Sequence, residues 1–337
     1  MNASASLREV EQSLNLGSVP LAIYYEHPRW FEPLFAELDR RGIPHLKLHS
    51  DEHFYDPSLP ASPRADVVFN RMSPSAYHRG RGQAILYTLA WLGHLERHGQ
   101  RVINGERAFR HEISKALQLS VLATLGLPAP RSRVIHRPAD APLAAEGLRF
   151  PIVVKPNVGG SGVGVVRFDT PEQLRAAALE GRLDFGLDHV GLVQEFIPAR
   201  DGRIIRVEVL GGRYLYGIHV YLNGATFDLC PADICQTKPM AGPVAVDSAC
   251  PVEAPKTGLR VVGCEPPAEI KSAVEKILYN TGIQIGGVEY VIDDRDGKPY
   301  FYDINALSNF VANAPDVIGF DPFVNLVDYL IRESVHG

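Results

Sequence analysis

Residues 286 to 305 read Gly286-Gly287-Val288-Glu289-Tyr290-Val291-Ile292-Asp293-Asp294-Arg295-Asp296-Gly297-Lys298-Pro299-Tyr300-Phe301-Tyr302-Asp303-Ile304-Asn305. Two apolar runs on either side of Asp-Gly predict a β-hairpin. Its register decides which side chains meet. A two-residue turn at Asp296-Gly297 would pair Glu289 with Ile304 and send Glu289 and Asp303 to opposite faces. A three-residue loop, Arg295-Asp296-Gly297 with Gly297 left-handed, pairs Glu289 with Asp303 at a Cβ separation of about 4.5–5.5 Å. Asn305, two residues on, then shares their face. Two acids and an amide oxygen on one face repel unless a cation sits between them, and oxygen-only ligands select Mg²⁺ or Mn²⁺ over zinc. A solvated outer face would also tolerate such acids, but the flanking residues are strongly apolar. The expectation is a metal site of Glu289, Asp303 and Asn305 that depends on a hairpin loop of odd length.

A second constraint is Lys155-Pro156-Asn157-Val158-Gly159-Gly160-Ser161-Gly162-Val163-Gly164. Glycines let successive backbone N–H groups turn inward as a nest for phosphate. A dinucleotide fingerprint would open a helix at these glycines, and a Walker A loop would end in Gly-Lys-Ser/Thr. Here a strand, Val163 to Phe168, follows instead. The pattern is strand, glycine flap, strand, with Lys155 on the incoming strand where its ammonium can reach phosphate. A structural hairpin with a solvated lysine is the alternative.

Around these motifs, short apolar runs alternate with helical patterns, as in α/β or α+β proteins. Strands are expected at Pro20–Tyr25, Leu46–Leu48, Asp66–Asn70, Pro151–Lys155, Gly191–Ile197, Arg206–Leu210 and Tyr214–Tyr221. Helices are expected at Phe31–Arg41, Ala84–Arg97, Pro171–Glu180, Ala268–Asn280 and Pro322–Arg332. A further helix is expected from near His111, with Ile113, Leu117, Val121 and Leu125 as its apolar stripe. Asn223 to Lys256 carries no clear element and reads as a long loop. The 337 residues suffice for two or three domains, and a net charge of −5 without a basic block disfavours nucleic acid as a partner. No run approaches the roughly 20 apolar residues of a membrane span, and the start lacks a signal-peptide pattern. Cys230, Cys235, Cys250 and Cys264 fit no disulfide framework or paired zinc motif, so idle thiols in a reducing cytoplasm are expected.

In this order the motifs resemble the ATP-grasp superfamily, in particular its glutathione-synthetase-like and ribosomal-protein glutamate-ligase-like branch, from about Asn104 to Asn309. The resemblance implies an α/β (α+β) chain of three parts: a pre-ATP-grasp domain over 1–104, a central and lid unit over 105–192, and a C-terminal unit over 193–337. It implies that Lys115 and Lys155 touch the nucleotide, that Gly159, Gly160, Ser161 and Gly162 belong to the flap, and that Gln194, Glu195, Phe196 and Ile197 offer backbone groups to adenine. Arg206 matches the arginine on the transferring phosphate, and Glu289, Asp303 and Asn305 match the metal triad. Three positions depart from the pattern. Asp303 replaces the usual Glu, and the acids expected at 204 and 199 are Ile204 and Ala199, so Asp201 is the substitute for ribose. The activity implied is ATP- and Mg²⁺-dependent (or Mn²⁺-dependent) ligation of a small-molecule or peptide carboxylate to an amine through an acyl phosphate. A homo-oligomer is compatible with it. A small-molecule kinase and a non-catalytic ATP-binding module remain open. Arg71, in Asn70-Arg71-Met72-Ser73-Pro74-Ser75, is a candidate to hold a substrate carboxylate, with Ser308, Asn309 and Arg260 as weaker ones.

Overall fold

The computed structural model describes residues 19–27, 29–60, 65–160, 162–222 and 260–336. Three sheets organise them. The first is parallel, in the order β2-β1-β3-β4, from β1 (Val19–Tyr25), β2 (His45–His49), β3 (Ala65–Arg71) and β4 (Val102–Ile103). Its strands are apolar on both faces because both are covered, the usual condition of parallel sheets. Ala22, Tyr24 and Val68 pack against Ile85, Trp91 and Leu92 of the helix Gly82–Arg97. Leu21, Ile23, Val67 and Phe69 face the opposite way, against Leu326, Val327 and Leu330 of the helix Pro322–His336. The chain's last helix thus completes the core of its first sheet. Arg101 and Glu333 add an ion pair across that junction.

The second sheet, antiparallel in the order β5-β8-β6-β7, contains β5 (Ser132–Ile135), β6 (Ile152–Pro156), β7 (Val166–Phe168) and β8 (Gly191–Glu195). Ile152, Val154, Phe168 and Val193 bury one face under Leu174 and Ala177 of the helix Pro171–Leu179. Thr170 caps that helix by accepting from Gln173 N–H. The other face of β6, with Val153 and Lys155, lines a cavity. The strand–glycine loop–strand order is therefore as expected.

The third sheet, β11-β10-β9-β12-β13, joins β9 (Arg203–Leu210), β10 (Arg213–Tyr221), β11 (Val261–Cys264), β12 (Ile285–Ile292) and β13 (Pro299–Asn305). Val207, Val209, Val288, Phe301 and Ile304 pack on Val274, Ile277 and Leu278 of the helix Ala268–Thr281. Alternation along the strands sends Arg206, Glu208, Glu289, Asp303 and Asn305 to the opposite face.

The helix expected from His111 is two helices, Glu106–Glu112 and Lys115–Thr124. Ser114 ends the first and caps the second by accepting from Leu117 N–H. The stripe of Ile113, Leu117, Val121 and Leu125 is accordingly not one continuous buried face: Ile113 is buried and Leu125 packs against the core of the third sheet, but Leu117 breaks the row. Leu117 is exposed, while Gln118 and Leu122 are buried. The segment Asn223 to Lys256, with Cys230, Cys235 and Cys250, and Ser161 of the flap lie outside the described residues. Cys264 is an unpaired thiol that burial pushes up to about 11. Among the described residues no helix is long and apolar enough to cross a membrane.

Candidate active site

A cavity of about 660 Å³ opens where the three sheets meet. Its floor is the polar face of the third sheet, which carries two cross-strand rows. In the first, Arg206 of β9 pairs with Glu289 of β12, and Glu289 with Asp303 of β13. In the second, Glu208 pairs with Gly287, and Gly287 with Asn305. Glu289 and Asp303 are opposite each other as expected, but not because of a three-residue loop. Asp293 N–H donates to Lys298 O and Gly297 N–H to Asp293 O, so four residues, Asp294 to Gly297, form the loop. Near that turn the pairing is Tyr290 with Phe301 and Val291 with Tyr300; continued regularly, it would set Glu289 opposite Tyr302. A β-bulge at Tyr302 adds one residue to β13 and restores the pairing of Glu289 with Asp303. It also turns Tyr302 into the cavity, where its hydroxyl donates to Glu289 Oε2 at 2.8 Å.

Each acid of the first row has a cation beside it. Lys115 Nζ donates to Asp303 Oδ1 at 2.6 Å, and Arg206 Nη1 to Glu289 Oε1 at 3.0 Å. Burial works against ionised Asp303, yet Lys115 holds it below the usual carboxylate range. Burial also works against charged Lys115, and Asp303 more than offsets it, so the ammonium titrates above its ordinary value. Glu289 is pushed up by burial, an effect that Arg206 counters in part and neighbouring Asp303 reinforces. Arg206 also donates Nε to Glu208 Oε1 at 2.6 Å and Nη2 to Ser308 Oγ at 3.3 Å. Asn305 Nδ2 donates to Asp303 Oδ2 at 3.1 Å. Among the described residues no three His, Cys, Asp or Glu side chains gather as a metal site. A cation site here would rest on two acids and the Asn305 amide oxygen, an all-oxygen set that suits a hard divalent ion.

The roof is the second sheet. Lys155 is 7% exposed and has no ion-pair or hydrogen-bond partner among the described residues. Burial, reinforced by the Lys115 ammonium, pulls it down to about 8. Gly159, Gly160 and Gly162 line the cavity, and Gly162 and Gly164 adopt positive φ. A Cβ on Gly164 would lie 2.8 Å from the Pro156 ring, so that turn requires glycine. The start of the loop is anchored, while Val163 and Gly164 are exposed. Val158 is buried in the core between the first sheet and the helix Gly82–Arg97. The side-chain oxygen of Asn157 accepts from Ala116 N–H and Ser114 Oγ, tying the flap to the start of the Lys115 helix. Gln194, Glu195, Phe196 and Ile197 line the far end. The N–H groups of Glu195 and Phe196 are already bonded to Arg131 O and Pro151 O. The Glu195 carboxylate accepts from Arg149 N–H.

Asp201 is exposed, pairs with Arg203 and does not line the cavity. Arg260 is exposed, over the Tyr221 ring. Arg71 is neither in a loop nor solvated. It ends β3, is 3% exposed, and donates Nη2 to Ser308 O, holding the loop after β13 to the first domain. Burial pulls it down to about 9. Ser308 and Asn309 do line the cavity, beside Trp30, Ser73 and Ser75 of the first domain.

Several participants carry no local sequence signal. Glu112 lines the cavity, accepts from Ala306 N–H, and is pushed up to about 7 by burial. Gln118 closes the open edge of β13, donating to Ile304 O at 2.8 Å and accepting from Ile304 N–H at 3.1 Å. Tyr302 needs the bulge to reach the site. Glu208 shares a face with Arg206 by strand alternation, and that was the signal that could have found it.

Comparison with known proteins agrees with this geometry. The profile of the family described as "RimK-like ATP-grasp domain" matches residues 113–227. A D-alanine–D-alanine ligase of Geobacter sulfurreducens is 34% identical over 131 residues, which cover 35% of this chain and 40% of that protein. A protein named "Probable alpha-L-glutamate ligase" from Pectobacterium carotovorum subsp. carotovorum is 31% identical over 174 residues, covering 47% of this chain and 56% of that protein. The chain thus spans about half the length of these curated relatives. The fold is also that of the ATP-grasp ligase PsnB complexed with minimal precursor, at a TM-score of 0.64 and 19% identity, covering 94% of this chain and 100% of that one. The motif order, the three sheets and the profile matched over residues 113–227 agree, and the fold of the chain is that of ATP-grasp ligases.

Proposed function

We propose that this protein is an ADP-forming carboxylate–amine ligase. One observation carries the reading: the row Arg206–Glu289–Asp303–Lys115 on the cavity floor faces the unpaired Lys155 on its roof. Phosphoryl transfer asks a protein mainly for positioning and for neutralisation of phosphate charge, and this arrangement supplies both. Glu289, Asp303 and Asn305 would hold Mg²⁺ or Mn²⁺, which would supply neutralisation of phosphate charge. Lys155 would bind the phosphates, and Gly159, Gly160 and Gly162 would cover them and exclude water. Ser161 lies outside the described residues and stays a proposed member of this loop. Arg206 would stabilise the phosphoryl group in transfer. Adenine would lie against Gln194 to Ile197, where Ile197 N–H and the segment's carbonyl groups are the candidates, because the Glu195 and Phe196 N–H groups are engaged.

The reaction has two steps. A substrate carboxylate oxygen attacks the γ-phosphorus of ATP, forming an acyl phosphate and releasing ADP. An amine then attacks the acyl carbon, phosphate leaves, and the amine nitrogen loses a proton. The relatives' names, a D-alanine–D-alanine ligase and an alpha-L-glutamate ligase, support amino acids or peptides as the substrate class. The test is ADP release with Mg²⁺ over pairs of amino acids, dipeptides and small carboxylates, with hydroxylamine added as a trap. Stoichiometric acyl hydroxamate is expected. A stable phosphorylated product and no hydroxamate would show a small-molecule kinase instead.

A further inference from the structure

Among the described residues, one buried carboxylate oxygen lacks a hydrogen-bond partner: Oε2 of Glu208. The residue is 1% exposed and lines the cavity, and its other oxygen accepts from Arg206 Nε at 2.6 Å. An unmatched buried acceptor of this kind is destabilising until a donor reaches it. Across the ladder from Glu208 stands Gly287, where a Cβ would lie 2.9 Å from Glu208 Oε1 and 3.1 Å from Arg206 Nε, so the Glu208–Arg206 pair lies over this glycine and any other residue at 287 would push into it. Beyond Gly287 the row continues to Asn305.

Charge selects what belongs there. Arg206 is the one cation hydrogen-bonded to both Glu208 and Glu289, so two carboxylates share a single guanidinium. The group is left electronegative, which favours a cationic donor over a neutral hydroxyl. A divalent ion would demand about six oxygen ligands. A primary ammonium needs three acceptors, and Glu208 lines the cavity together with Ser308 and Asn309. We propose that Glu208 binds the ammonium group of an amino-acid or peptide substrate through its unpaired Oε2. The inference rests on the ligase reading and adds the recognition of one substrate to it.

Glu208→Gln isolates the unpaired oxygen, because the amide oxygen can keep the Arg206 bond while an NH₂ group replaces Oε2. The probes are each amino acid that supports ADP release in the wild type, and its N-acetyl derivative, titrated in the presence of ADP and Mg²⁺. For the free amino acid, KM and Kd should rise about 10-fold or more, the scale of a hydrogen bond to a charged group. KM for ATP should stay within about twofold, and the N-acetyl derivative should bind wild type and variant alike. Gly287→Ala should raise the same KM by displacing the Glu208 carboxylate that the added methyl group would meet. It stands in for Glu208→Gln if circular dichroism shows that variant unfolded. An unchanged KM for the amino acid overturns the inference, as does an equal loss for the N-acetyl derivative or a change confined to the Mg²⁺ requirement. Amide product with an unchanged KM would leave the ligase reading standing, whereas a stable phosphorylated product would remove that reading itself.

Discussion

On the third sheet Asp303 has Lys115 at 2.6 Å and Glu289 has Arg206 at 3.0 Å, whereas on the second sheet Lys155 has no partner among the described residues. Both surfaces face one cavity and both bury charge. On the floor Asp303 and Glu289 each have a cation of the protein beside them, while Glu208 shares Arg206 with Glu289. The roof brings a desolvated cation without a partner among the described residues. Burying an unpaired charge weakens a fold, and in the proposed function a bound polyanion would recover that loss at Lys155. Substitutions on the floor should therefore remove turnover, and substitution of the roof cation should remove binding.

The largest expected effect is on the floor. Asp303→Asn keeps the shape but removes one charge from the triad, and kcat should fall by about 10²–10³-fold or more with the fold retained by circular dichroism. Near-wild-type turnover would break the assignment of Glu289, Asp303 and Asn305. Next comes the roof: Lys155→Met should raise KM for ATP by about 10–100-fold, as expected for loss of a charge-assisted contact, while Tm holds or rises. A falling Tm with unchanged KM would show that Lys155 is structural.

The same lysine predicts a pH dependence. Its value is about 8 in the folded protein against 10.5 for an ordinary lysine, so between those values the unfolded chain binds the proton and the folded chain does not. Raising pH across that window should stabilise the fold through this group. Above about pH 8 the charge is lost and KM for ATP should climb, a rise that Lys155→Met should flatten. The smallest effect is expected from Tyr302→Phe. It removes one hydrogen bond to Glu289, worth about 1 kcal/mol, and should lower kcat/KM several-fold without touching KM for ATP.

Much of this site is legible in local sequence, because alternation along a strand is a property of the strand itself. Glu289, Asp303 and Asn305 do share a face, and Lys155 does enter a glycine loop followed by another strand. The reason given for the first of these is replaced. The loop has four residues, and a bulge at Tyr302 corrects the register. Bulges answer to the partner strand and to what packs beyond it, here Phe301 in the core and Gln118 against the edge. The four-residue spacing of Ile113 to Leu125 misleads for a related reason. It describes one ideal helix, while Ser114 and Asn157 terminate and restart the helix through a contact 43 residues away in sequence.

The sequence by itself determined the kinds of groups available: oxygen ligands on a hairpin, a lysine before a glycine turn, an arginine on a neighbouring strand. Each follows from the dihedral preferences and alternation of a few consecutive residues. Only the tertiary structure decided which charges are compensated. Whether a buried lysine or carboxylate finds a partner depends on segments far apart in the chain, as Lys115 meets Asp303 and Arg71 meets Ser308. Lys155 and Glu208 carry the same charges as their neighbours and differ from them in what the fold sets beside them.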